Sequence, residues 1–152
     1  MAKNCATIEK YLKPIKREVI LKSDIEYNLL GVKWYGKGAF IRETKLGNEI
    51  KAKKLFKVNA GDFIYNRLFA WKSSFAIISE EYDGCLVSGE FPVFIKKSNE
   101  VNTDFILQYI LLPHNIDKVN KLSTGMSSVS RKRFKENSFL SFQIPVSGSI
   151  AS

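Results

Sequence analysis

Through the first two-thirds of the chain, apolar residues fall in short runs closed by Gly, Pro, Asn or Asp. That is the punctuation of strands, not of long helices. Tyr27–Val32 reads as the first clear strand. Lys54–Val58 alternates weakly, Asn59-Ala60-Gly61-Asp62 has turn chemistry and Phe63-Ile64-Tyr65 resumes, which predicts a hairpin. Ser74–Ile78 and Cys85–Ser88 flank the polar connection Glu80–Gly84, and Phe91–Ile95 extends the pattern. Upstream, Lys10–Lys22 is basic and interrupted by Pro14, so it is expected to run as an extended arm or strand.

The period then changes. Asn102 or Thr103 can cap a helix carrying Phe105, Ile106, Tyr109, Ile110 and Leu112, with Pro113 expected to stop it. A shorter helical piece with Ile116, Val119 and Leu122 follows. A polar loop from Ser123 to Ser128 and the basic run Arg131-Lys132-Arg133 come next, and a helix beginning near Ser128 would favour phosphate binding there. Phe139–Val146 is expected to form a last strand ending on Pro145. Strands with segregated helices predict an α+β fold: a single compact domain, mainly antiparallel twisted sheet with a few helices packed on it. It is expected to occupy residues 1–146, with a short polar tail over 147–152.

Composition supports a folded core, since 45% of the 152 residues are apolar and 26% charged. The longest apolar stretch, Phe105–Leu112, is far shorter than the roughly 20 residues that span a bilayer, and the polar N-terminus lacks a secretion signal. No membrane segment is expected, and a cytoplasmic protein with reduced Cys5 and Cys85 is. One histidine, His114, and no Cys-x-x-Cys pair argue against a conventional zinc site.

Charge adds more through its distribution than its size. The net charge is +9, and residues 1–22, 23–60 and 121–152 each carry +4, whereas 61–95 carry −3. A segregated basic excess favours a polyanion. By itself it equally fits a merely soluble basic surface.

The catalytic signatures are missing. Gly36-Lys37-Gly38 lacks the spacing and the Lys-Ser/Thr ending of a phosphate loop, and the lone histidine has no nucleophile beside it. Glu49-Ile50-Lys51 with Asp24 upstream is the nearest approach to a metal-dependent nuclease motif, but a solvated turn over the polar run Lys45–Lys54 explains the same residues, and no second acidic ligand is evident. No enzyme activity, cofactor, metal or small-molecule substrate is expected.

Three clusters combine positive charge with planar or amide side chains. Lys33-Trp34-Tyr35-Gly36-Lys37-Gly38 places two lysines around two aromatics, where glycines let backbone approach phosphate. Tyr65–Lys72 offers Asn66 and Arg67, able to contact adenine and guanine edges bidentately, beside Trp71 and Lys72. The loop of Ser127 joins Arg131 and Arg133, a composition suited to phosphate oxygens. Trp34, Phe69 and Trp71 are each expected to be partly core rather than free for a ligand.

The blocks Lys57–Arg67, Ser74–Ile78, Asp83–Ser88 and Phe91–Phe94, then Ser123-Thr124-Gly125, Arg131 and Gln143-Ile144-Pro145, resemble the target-recognition domain of type I restriction-modification specificity subunits. The resemblance runs through nearly the whole chain. It implies a non-catalytic domain that reads one half of a split double-stranded DNA target, with methylation and restriction subunits as partners that carry the chemistry. Such subunits have two recognition domains and two long helices; one domain and neither helix are recognised here, so docking and half-site pairing are expected to lie beyond this polypeptide. On this reading Lys33, Lys37, Lys72, Arg131 and Arg133 hold phosphates, and Asn66, Arg67, Tyr35 and Ser127 read bases. Two other readings stay open: a protein-interaction scaffold with a basic surface, and a module for single-stranded RNA or a flipped base.

Overall fold

The computed structural model describes residues 4–52, 54–123 and 132–146. In chain order the strands are β1 (Cys5–Thr7), β2 (Leu12–Pro14), β3 (Glu18–Val19), β4 (Glu26–Val32), β5 (Ala39–Leu46), β6 (Leu55–Lys57), β7 (Phe63–Tyr65), β8 (Phe75–Ile77), β9 (Leu86–Val87) and β10 (Val93–Lys96). Helices α1 (Thr103–Ile110), α2 (Pro113–Leu122) and α3 (Glu136–Leu140) precede β11 (Gln143–Pro145). The fold is α+β, and its sheets are antiparallel except where β4 runs parallel to β9.

The strands form three sheets: a ribbon β1-β11, a four-stranded sheet β2-β10-β7-β8, and a five-stranded sheet β3-β6-β9-β4-β5. Side-chain alternation along β7 explains how they stack. Phe63 and Tyr65 point to one side, where Phe75, Phe94, Ile106, Ile110, Val119 and Phe139 close a core with the helices. Ile64 points to the other, against Leu30, Val32 and Val87 of the five-stranded sheet. The four-stranded sheet is therefore covered on both faces, and β7 is buried at every position. Phe139 seals the aromatic side, with its ring centroid 4.7 Å from Phe94, 5.1 Å from Tyr65 and 5.3 Å from Phe63. Each such aromatic contributes on the order of 1.5–3 kcal/mol by burial.

The structure replaces the expected hairpin with a corner between sheets. β6 pairs with β3 and β9, whereas β7 pairs with β10 and β8. The Asn59–Asp62 turn bends the chain sharply because the Asp62 carboxylate accepts the Asn59 N–H at 2.8 Å and holds the Arg17 guanidinium at 2.8 and 3.2 Å. Gly61 takes a left-handed φ of 91° there. The hairpin partner of β7 is β8, reached through residues 66–74.

Three further boundaries differ. β5, the longest strand, carries Arg42, Glu43 and Lys45 at the sheet edge, where charge protects an open edge and hides the strand pattern. Pro113 does not simply end α1, which is capped by the Asn102 side chain accepting from Phe105 N–H at 3.0 Å. It opens α2 at the first helical position, where its missing N–H costs nothing. Phe139 lies in α3, so the last strand begins only at Gln143. Among the described residues no helix is long and apolar enough to cross a membrane.

Candidate nucleic-acid interface

The β4–β5 connection and the β7–β8 connection meet at one end of the layers. Lys33 N–H donates to Gly38 O at 2.8 Å and closes the first loop. From that loop Tyr35 N–H donates to Lys72 O and Gly36 N–H to Ser73 O, both at 2.9 Å. Tyr35 and Ser73 have φ of 63° and 64°, the only non-glycine residues in the left-handed region among those described. Such geometry costs of the order of 1–3 kcal/mol per residue and persists where surrounding contacts enforce it. Gly36 shares it at 67°, and a Cβ there would meet Leu111 Cδ1 at 3.0 Å.

This pairing of loops builds a stack of rings and ammonium groups. The Trp34 ring lies 5.2 Å from Phe69 and 6.2 Å from Tyr35. Lys72 Nζ sits 4.9 Å from the Trp34 centroid and 5.0 Å from that of Trp71, bridging the two indoles. Lys132 Nζ lies over Trp71 at 5.5 Å and donates to Asn120 Oδ1 on α2. Trp71 is oriented by its Nε1–H, which donates to Leu68 O at 2.9 Å. Each cation–ring contact contributes about 0.5–1 kcal/mol at an exposed site. Beside the stack an open groove of about 440 Å³ runs between Tyr35, Trp71, Lys72 and the start of α2 at Pro113, Ile116 and Asp117. Tyr35 is 64% exposed and projects at its rim.

Sequence reasoning placed Lys33, Tyr35 and Lys37 in one cluster and Trp71 and Lys72 in another, and the structure brings the two loops together. Lys33 and Lys37 are solvent-exposed, Lys33 with its ammonium 6.0 Å from the Phe40 ring. Ser127 and Arg131 lie outside the described residues. Of Trp34, Phe69 and Trp71, each expected to be partly core, Phe69 and Trp71 are partly buried, whereas Trp34 is 40% exposed.

Asn66 and Arg67 sit differently from the arrangement expected for open readers of base edges. Asn66 Oδ1 accepts the Leu68 N–H at 2.9 Å and shapes the loop from within. Arg67 donates to Glu90 Oε1 through Nη2 at 3.3 Å and Nε at 3.4 Å, and through Nη1 to Glu136 Oε1 at 3.5 Å. Arg133 shares the same carboxylate, with Nε 3.3 Å from Oε1 and Nη2 3.1 Å from Oε2. The Arg133 hydrogen bond and the charges of Arg67 and Arg133 hold the Glu90 carboxyl below its ordinary range, against the opposing effect of partial burial. Glu90 raises Arg133 in turn, by hydrogen bond and then by charge. Under this quartet, burial and then the charge of Glu136 push the Tyr65 phenol far above its ordinary value. Its O–H donates to Phe134 O at 2.8 Å.

Glu90, Glu136, Phe69 and Lys132 were missed as members of the site. Lys132 lay inside the basic run Arg131-Lys132-Arg133, and a glutamate between Gly89 and Phe91 was the one local sign that a partly buried cation needed an anion. Among the described residues, no group of three His, Cys, Asp or Glu side chains could hold a metal ion. Glu49 instead closes its own turn by accepting the Leu46 N–H at 3.0 Å.

A two-stranded ribbon, two larger sheets and a helical layer, with cation-bearing loops at one end, define the class of fold, and solved structures share it. The HsdS subunit from Thermoanaerobacter tengcongensis superposes with a TM-score of 0.68 at 15% identity, covering 93% of this chain and 37% of that one. A chain from a structure of complex assembly and conformational transition of the type I R-M system gives 0.70 at 14% identity, with 94% and 37% covered. The fold expected from the sequence resemblance is thus the fold these proteins have, and the chain spans little more than a third of their length. No protein-family model and no curated protein matches the chain.

Proposed function

We propose that the chain is a non-catalytic, cytoplasmic domain that binds double-stranded DNA sequence-specifically and reads one half of a bipartite restriction-modification target. The observation that carries this reading is the Lys72 ammonium held between Trp34 and Trp71, on two strained loops that also present the exposed Tyr35, Lys33 and Lys37. Fixed cations at a loop-bearing end suit phosphate positioning, and an open groove beside them leaves room for base contacts. The likeness to an HsdS subunit and to a chain of a type I R-M system supports the same role.

Lys33, Lys37, Lys72, Arg131 and Arg133 hold phosphates, and Tyr35, Asn66, Arg67 and Ser127 contact bases. Trp71 contributes by fixing the ammonium groups of Lys72 and Lys132. Methylation and restriction subunits are the partners on this reading, engaged by the longer protein of which such a domain forms part. Single-stranded RNA fits less well, because Trp34 and Trp71 already carry ammonium groups or neighbouring rings, which leaves Tyr35 as the open stacking surface.

Selection from a random duplex pool tests the reading. A short enriched motif, bound with an affinity that falls steeply with salt, is expected. Binding insensitive to ionic strength, or preference for single strands in competition, overturns it.

A further inference from the structure

The Arg67–Glu90–Arg133–Glu136 quartet differs from the other partly buried ion pair of the fold in a way that bears on function. Arg17 and Asp62 meet at 2.8 Å with the Asp62 side chain 4% exposed, which is a structural lock. In the quartet the charged contacts run from 3.1 to 3.5 Å and the side chains are 25–33% exposed. These distances exceed the roughly 2.7–2.9 Å of a tight charge-assisted hydrogen bond, so the guanidiniums are held loosely and within reach of solvent.

Their backbones are held firmly. Arg67 N–H donates to Glu90 O at 3.0 Å, and Phe134 N–H donates to Arg67 O at 2.9 Å. The side chains can therefore swing without loss of the local fold. Arg67 shares its loop with Trp71 and Lys72, and Arg133 follows the Lys132 that caps Trp71. Two arginines and two glutamates sum to zero charge, so the quartet neutralises two cations that flank the Trp71–Lys72 loop and Lys132 in the chain.

We propose that Glu90 is a specificity-determining residue, an inference that rests on the DNA-binding reading above. It sequesters Arg67 and Arg133 in internal ion pairs, so that phosphate on an arbitrary duplex does not recruit them. A target that offers the Arg67 guanidinium a bidentate base edge and sets a phosphate against Arg133 does. The carboxylate competes with phosphate for the same donors, which lowers non-specific affinity more than specific affinity.

The test is fluorescence anisotropy with a labelled random-sequence duplex across a salt series. Glu90→Gln is compared with the whole wild-type chain and with Glu100→Gln, an exposed control carrying the same change in charge. Relative to that control, Glu90→Gln should bind more tightly and steepen the log–log salt slope by about 0.9 to 1.8, one or two added phosphate contacts. Adding Arg67→Gln to Glu90→Gln should take back part of the gain. A structural role alone would not produce a gain in affinity. If Glu90→Gln melts early, Glu136→Gln frees one side of Arg67 and should steepen the slope by up to about 0.9. Wild-type binding with slopes equal to the control in these variants overturns the role of Glu90 alone. No duplex binding by wild type or variants overturns both this inference and the DNA-binding reading.

Discussion

The Tyr65 phenol and the Phe134 carbonyl, 69 positions apart, are joined by a buried hydrogen bond of 2.8 Å. It ties the centre of the four-stranded sheet to the segment that carries Lys132 and Arg133. Tyr65→Phe keeps the ring packing and strands a buried acceptor, so stability should fall by about 1–3 kcal/mol. Denaturant unfolding should show a lower midpoint with an unchanged slope.

Acid should reveal the quartet. Glu90 has its folded value depressed below the ordinary 4.5. A group shifted that way stabilises the fold above its unfolded value and loses that contribution as pH falls through the folded one. Wild type should therefore lose stability more steeply than Glu90→Gln as pH drops below about 4.5, with the two curves running parallel near neutrality. Chemical denaturation at stepped pH reads the difference.

Lys72 is the cation held by two indoles. Lys72→Ala should weaken duplex binding uniformly across sequences and flatten the log–log salt slope by about 0.9. Lys72→Arg, which retains charge and stacks on aromatic faces, should keep most of the affinity. An unchanged slope in Lys72→Ala would place the phosphate contact elsewhere.

Gly36 combines a φ of 67° with a crowded Cβ position against Leu111. Gly36→Ala should cost about 1–2 kcal/mol from the left-handed backbone. The melting temperature should fall by roughly 2–8 °C on the usual scaling for a domain of this size.

Local signals explain what was legible in the sequence. β4 and β7 stood out as apolar runs between turn residues, and the Asn102 cap of α1 could be named because capping needs only the next few residues. β5 was hidden because its charged edge has no clean alternation. The sheet assignment of β6 and β7 was hidden because it depends on Arg17, 45 positions before Asp62. The site divided in the same way. Lys33, Tyr35, Trp71 and Lys72 were visible as basic and aromatic clusters, whereas the occupation of Arg67 by Glu90 and Glu136 spans 23 and 69 positions. Residue type announces what a side chain can do; only the packed chain tells which partner already holds it.

β1 and β11 lie antiparallel, with Cys5 opposite Pro145 and Ala6 opposite Ile144. Entry to and exit from the described fold therefore fall side by side, on the ribbon rather than among the cation-bearing loops. A unit that opens and closes at one hinge point can be spliced into another polypeptide, or exchanged for a relative of different loop sequence, without moving anything on either side of the join.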